Sequence, residues 1–177
     1  QLGSDVPFFL VGGTAVGWGR GTEVVPLPDL PQEKSVLLLY PHLEISTREA
    51  YSLGKWGTYG GPRKLTREWA ETTMRSLLRA VGPTGDGWSF LENDFEDVLF
   101  AHHPVLVEAR EALKKAGCER VMLCGSGSTL LGLGSDSQVK EAAAVITREG
   151  IGETFFCRTF SREQYRQVLM RSGLLLS

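Results

Sequence analysis

The sequence has 177 residues, 42% apolar and 23% charged, the balance of an ordinary globular protein with length for one domain or one and a half. A formal net charge of −2 argues against a broad surface for nucleic acid or anionic membrane, while leaving room for a local basic pocket. No apolar run nears the ~20 residues of a spanning helix. Cys118, Cys124 and Cys157 show neither a CxxC pair nor metal spacing, so they are expected to be reduced core thiols of a cytosolic protein. His42, His102 and His103 are not spaced as a zinc site either.

At Gln1 there is neither a methionine nor a leader, and the apolar pattern is already running at Val6-Pro7-Phe8-Phe9-Leu10. A natural start is usually frayed and polar, so the sequence is expected to be the C-terminal part of a longer protein. Residues 2–10 read as the end of one element and a short helical turn, with Pro7 suited to a first helical position. Spacing favours Asp5 as that helix's cap; the alternative is a carboxylate presented to a ligand. Residues 12–21 alternate small and larger side chains, as strands flanking a glycine-rich turn do, with 23–27 as the return strand. Pro26, Pro28 and Pro31 make a stiff connector and the best domain boundary, dividing the chain into 1–32 and 33–177.

Ser35–Tyr40 (SVLLLY) is a buried strand ended by Pro41. Thr47 is the expected cap of a short helix through Tyr51 and on to Leu53. A glycine-rich loop over 54–63 carries Trp56 and Tyr59. The spacing then predicts a helix over 65–81, capped by Thr66, and a loop over 82–87. Asp94 is the expected N-cap of the next helix, with Asp97 as an imperfect capping box; Pro104 starts another, ended at Gly117.

Residues 121–133 read as strand, loop, strand. Between the apolar runs lie Gly125, Ser126, Gly127 and Ser128, with no bulk at all. Such a loop is either a tight turn between core strands or a place where backbone N–H groups approach an anion, and these residues alone leave both open. Ser135 or Asp136 caps a helix through Arg148, 153–160 is a strand, and Ser161 with Gln164 forms a capping box for a last helix to Arg171. Four strands, the middle pair joined tightly and the others separated by helices, predict an α+β fold. It is an antiparallel sheet with helices on one face, of ferredoxin type.

The pieces together resemble the GHMP kinase family. Leu2-Gly3-Ser4-Asp5-Val6-Pro7-Phe8-Phe9-Leu10, the glycines at 13, 17, 19 and 21, Asn93-Asp94-Phe95-Glu96, and Gly125-Ser126-Gly127-Ser128-Thr129 stand in the family's order and spacing over nearly the whole chain. The resemblance implies the end of an ATP-binding domain followed by a ferredoxin-like C-terminal domain. It implies phosphorylation of the 2-hydroxyl of a cytidine diphosphate sugar alcohol in isoprenoid precursor synthesis, using ATP and Mg²⁺, in bacterial cytoplasm or a plastid. Asp5 matches the family's catalytic aspartate, and Thr47 and Tyr51 fall where the family contacts the cytidine end. Gly125, Ser126, Gly127 and Ser128 would face the phosphate side of the cleft. No metal ligand is assigned, and no nucleic-acid or membrane partner is implied.

One departure is large: the family's lysine-bearing segment and its long glycine- and serine-rich triphosphate loop have no counterpart in this sequence. The expected partner is therefore the missing N-terminal half of the same enzyme. Two alternatives stand beside this reading, another small-molecule kinase of homoserine or mevalonate type, and a non-catalytic ferredoxin-like binding module.

Overall fold

The structure, a computed structural model, describes residues 3, 5–18, 21–30, 32–54 and 91–173. The expected helix over 65–81 with its Thr66 cap, and the loops around Trp56 and over 82–87, lie outside the described residues. The elements that are described run α1 (Val6–Val11), β1 (Ala15–Trp18), β2 (Glu23–Pro26), β3 (Ser35–Tyr40), α2 (Thr47–Leu53), α3 (Phe95–His102), α4 (Pro104–Lys115), β4 (Arg120–Leu123), β5 (Leu130–Gly134), α5 (Asp136–Glu149), β6 (Glu153–Arg158) and α6 (Arg162–Arg171). They fall into two compact units. The described residues of 1–33 and 159–177 belong to the first, and those of 34–63 and 88–158 to the second. The last helix thus falls in one compact unit with the first residues.

In the first unit, β1 and β2 pair antiparallel from Ala15↔Pro26 to Trp18↔Glu23, the hairpin that the glycine pattern predicts. Asp29 ties this hairpin to α6: its carboxylate accepts from Thr14 N at 3.0 Å and from Arg162 N at 2.8 Å. The Arg162 guanidinium in turn donates to the carbonyls of Thr14 and Leu27 at 2.7 and 3.0 Å. Burial by itself would raise the Asp29 carboxyl, but the N–H groups of Arg162 and Thr14 and the Arg162 charge outweigh it and hold it below its ordinary value. The Ser161–Gln164 capping box forms as the sequence indicates. Helix α1 begins at Val6, so Pro7 is its second residue rather than its first.

The second unit is a four-stranded antiparallel sheet in the order β4-β5-β3-β6. Taking these strands in chain order as one to four, the sheet runs 2-3-1-4, the interleaved arrangement of a ferredoxin-type sandwich. Period-2 alternation sends Leu37 and Leu39 of β3, Val121 and Leu123 of β4, and Leu130 of β5 to one face. There they meet Leu106, Ala109 and Leu113 of α4 and Val139, Ala142 and Ile146 of α5, with Leu99 of α3 and Ala50 of α2 completing the core. Each fully buried leucine contributes about 2 kcal/mol. Gly132, opposite Leu37 and Val121, is required by packing: a Cβ there would lie 2.8 Å from Cys118 Sγ.

Helix ends follow the sequence at α4 and α5. Gly117 takes φ +99° after α4, with Cys118 N donating back to Leu113 O at 3.1 Å. Ser135, of the two candidates, caps α5 in a full capping box with Gln138. At α2 the cap is Ser46, one residue before Thr47, because Ser46 has the extended backbone that lets its hydroxyl accept from Glu49 N. At α3, Asp94 is already helical in φ and ψ and makes no capping bond; Asn93 Oδ1 accepts from Phe95 N instead. Strand β6 stops at Arg158, two residues short of the apolar run that suggested it.

Candidate functional site

The loop between β4 and β5 is held from two sides. On one side Thr47 Oγ1, at the start of α2, lies 3.1 Å from Ser126 Oγ, and Ser128 Oγ donates to the carbonyl of Leu43. Because Ser46 does the capping, the Thr47 hydroxyl is left to make the contact with Ser126. On the other side Asn93 Nδ2 donates to the carbonyls of Leu123 and Gly125, both at 2.8 Å. Glu96 Oε1 accepts from Leu123 N at 2.6 Å. Beneath the loop a Cβ on Gly127, which holds φ +80°, would come within 3.3 Å of Leu123, with Leu99 and Ile45 just beyond.

The loop's backbone is chemically suited to an anion. Gly125 and Gly127 both have positive φ, at 54° and 80°. Cys124 N and Gly127 N are used within the turn, donating to Thr129 O and Cys124 O. Among the described residues no acceptor takes the N–H groups of Gly125, Ser126 or Ser128. Successive N–H groups left open around left-handed residues form a concavity for negative charge. Burial pushes the Cys124 thiol up, so it stays protonated and offers the loop no thiolate.

Tyr51 lies one turn after Thr47 on α2. It is 56% exposed, and its ring meets Phe95 edge to face, with centroids 5.0 Å apart and planes at 83°. An exposed ring buttressed at its edge can offer a face to a planar base. The structure therefore gathers Thr47, Tyr51 and residues 125–128 in the second unit. Asp5 belongs to the first unit, where it is exposed and precedes α1 without a side-chain capping bond, contrary to the capping role that spacing favours. Asn93 and Glu96 are partners of the loop that the sequence offered only as part of the Asn93-Asp94-Phe95-Glu96 segment, with no role in the site.

A groove of about 500 Å³ between α4 and α5 holds none of these residues. Its charged lining is Glu108, Glu111, Glu141 and Glu149 against Lys115 alone, which disfavours a phosphorylated ligand. No three His, Cys, Asp or Glu side chains come together among the described residues in a way that could hold a metal ion. No described helix is long and apolar enough to cross a membrane.

Comparison with known proteins gives a consistent picture. Residues 74–152 match the family model described as GHMP kinases C terminal. A 4-diphosphocytidyl-2-C-methyl-D-erythritol kinase from Solibacter usitatus is 37% identical over 172 residues, 97% of this chain and 52% of the relative. A kinase of the same name from Acaryochloris marina is 37% identical over 146 residues, 79% of this chain and 47% of the relative. The crystal structure of a 4-(cytidine 5'-diphospho)-2C-methyl-D-erythritol kinase aligns with TM-score 0.67 and 26% identity, covering 88% of this chain and 53% of that one. A homoserine kinase from Cytophaga hutchinsonii shares the fold, with TM-score 0.58 and 17% identity over 88% of this chain and 50% of its own. The chain spans about half the length of the curated relatives it matches.

Proposed function

We propose that the chain is part of a GHMP kinase and forms the substrate-binding part of an enzyme that phosphorylates the 2-hydroxyl of 4-diphosphocytidyl-2-C-methyl-D-erythritol with ATP. The observation that carries this reading is the bond between Thr47 and Ser126, which joins the side chain expected at the cytidine end to the loop expected at the phosphates. In this reading Tyr51 stacks on the cytosine, and the open N–H groups of 125–128 face the donor phosphates.

Phosphoryl transfer asks a protein mainly for positioning and for charge opposite the phosphoryl oxygens. Asp5 is the proposed general base: it orients the hydroxyl and accepts its proton as the oxygen bonds to the γ-phosphorus of ATP, while the bond from that phosphorus to the β–γ bridging oxygen breaks and ADP leaves. Its exposed carboxylate, uncommitted to capping, is compatible with that task. The open amides suit an anionic donor, whereas the described residues gather no carboxylate set for Mg²⁺, so no step is assigned to a metal held by them. The lysine and the triphosphate loop absent from this sequence would come from the other half of the enzyme. The proposed division, 1–32 closing an ATP-binding domain and 33–177 forming the substrate domain, belongs to this reading, as does a cytoplasmic setting in a bacterium or plastid.

The test is a panel of acceptors offered with ATP·Mg²⁺ to the complete enzyme that carries this chain. Phosphate transfer to the cytidine diphosphate sugar alcohol, with little to homoserine or mevalonate, is the expected result. Preference for either of the others would replace the cytidine assignment, and no transfer to any of them would favour a binding module.

A further inference from the structure

We propose that Asn93 is a positioning residue for phosphoryl-donor binding: its carboxamide locks the Gly125–Ser126 peptide so that the Ser126 N–H faces the donor. The inference rests on the reading above that the 125–128 loop faces phosphate. A trans peptide carries its C=O and N–H in opposite directions. Turning the Gly125 carbonyl inward to Asn93 Nδ2 therefore turns the Ser126 N–H outward, where no described residue accepts it. The bond matters because Gly125, at φ +54° and without a Cβ, leaves its own ψ little restricted, so the direction of the peptide depends on what its carbonyl meets. A flipped peptide would present a carbonyl oxygen to the phosphates, replacing an attraction with a repulsion.

The Asn93 side chain is fully used in this task. Its other amide proton goes to Leu123 O, and its oxygen accepts from Phe95 N at 3.0 Å, which fixes the side chain on the first turn of α3. Glu96, on the same turn, takes Leu123 N and so docks α3 against the end of β4. One turn of helix thus sets the loop's peptide orientation, while Thr47 and Ser128 hold its far side. An aspartate at position 93 would keep the size and the acceptor for Phe95 but face two carbonyl oxygens with an anion.

The test compares Asn93→Asp and Asn93→Ala with the parent in the complete enzyme, at a temperature where all are folded by circular dichroism. The expected result is a rise of about tenfold or more in KM for ATP, with KM for the cytidine substrate changed less than about twofold. Gly127→Val is the control for the loop itself. If it leaves ATP handling intact, the loop reading falls and takes this proposal with it. If Gly127→Val impairs ATP handling while both Asn93 variants keep the parent's KM for ATP, the positioning role alone is overturned. Loss of folded protein in both Asn93 variants, or less active enzyme with both KM values unchanged, assigns Asn93 to stability and also overturns it.

Discussion

At the scale of single residues, local competition decides which polar side chain is free for chemistry. Ser46 and Thr47 are neighbours with similar hydroxyls, and only the one with extended backbone can cap α2. Thr47 is thereby left to Ser126. Asn93 and Asp94 divide in the same way: Asn93 satisfies Phe95 N and two loop carbonyls, and Asp94 caps nothing. Asp5 likewise precedes a helix without bonding to it, which leaves its carboxylate uncommitted. Changing Asp5 to Asn in the complete enzyme should lower kcat by about 10²- to 10⁴-fold with modest change in KM, since an amide can orient the hydroxyl but cannot take its proton. Steady-state kinetics decides the point, and an unaltered kcat would remove Asp5 from the reaction.

At the scale of elements, several side-chain hydrogen bonds join segments distant in sequence. Asp29 bridges the β1–β2 hairpin and the N-terminus of α6. Asn at that position can accept only one of the two N–H groups well, so Asp29→Asn should cost on the order of 1–3 kcal/mol, read from urea unfolding at pH 7. The pH dependence has a definite sign. The folded carboxyl titrates below the unfolded one, so in that interval the unfolded state binds more protons and stability rises with pH. The contribution is complete above the ordinary carboxylate range and is lost as the pH falls through the depressed value. The gap between parent and variant should therefore narrow near pH 3, and a gap unchanged between pH 7 and pH 3 would show that the charge of Asp29 is not what holds these elements.

At the scale of the whole molecule, the second unit is a single core between a four-stranded sheet and the α4–α5 pair. Leu37, fully buried on the central strand β3, lies between β5 and β6. Leu37→Ala should destabilise the unit by about 2–5 kcal/mol, seen as a lower urea midpoint at unchanged slope. A loss under 1 kcal/mol would mean that the layers can close over the gap. The strands, the hairpin, the Ser161–Gln164 capping box and the ferredoxin-type fold were legible in the sequence, whereas the choice of Ser135 over Asp136 as cap was not. The legible features rest on local signals: period-2 apolar runs, glycine-rich turns and serine-to-glutamine spacing act within a few residues of themselves. The small-residue loop was legible as a loop, but its open amides were not, because a peptide's direction depends on what its carbonyl meets. Only tertiary structure brought Asn93 to Gly125, Thr47 to Ser126 and Asp29 to Arg162, pairs separated by 32 to 133 positions along the chain. Sequence spacing carries no record of such meetings, since they are fixed by which faces the core has already buried.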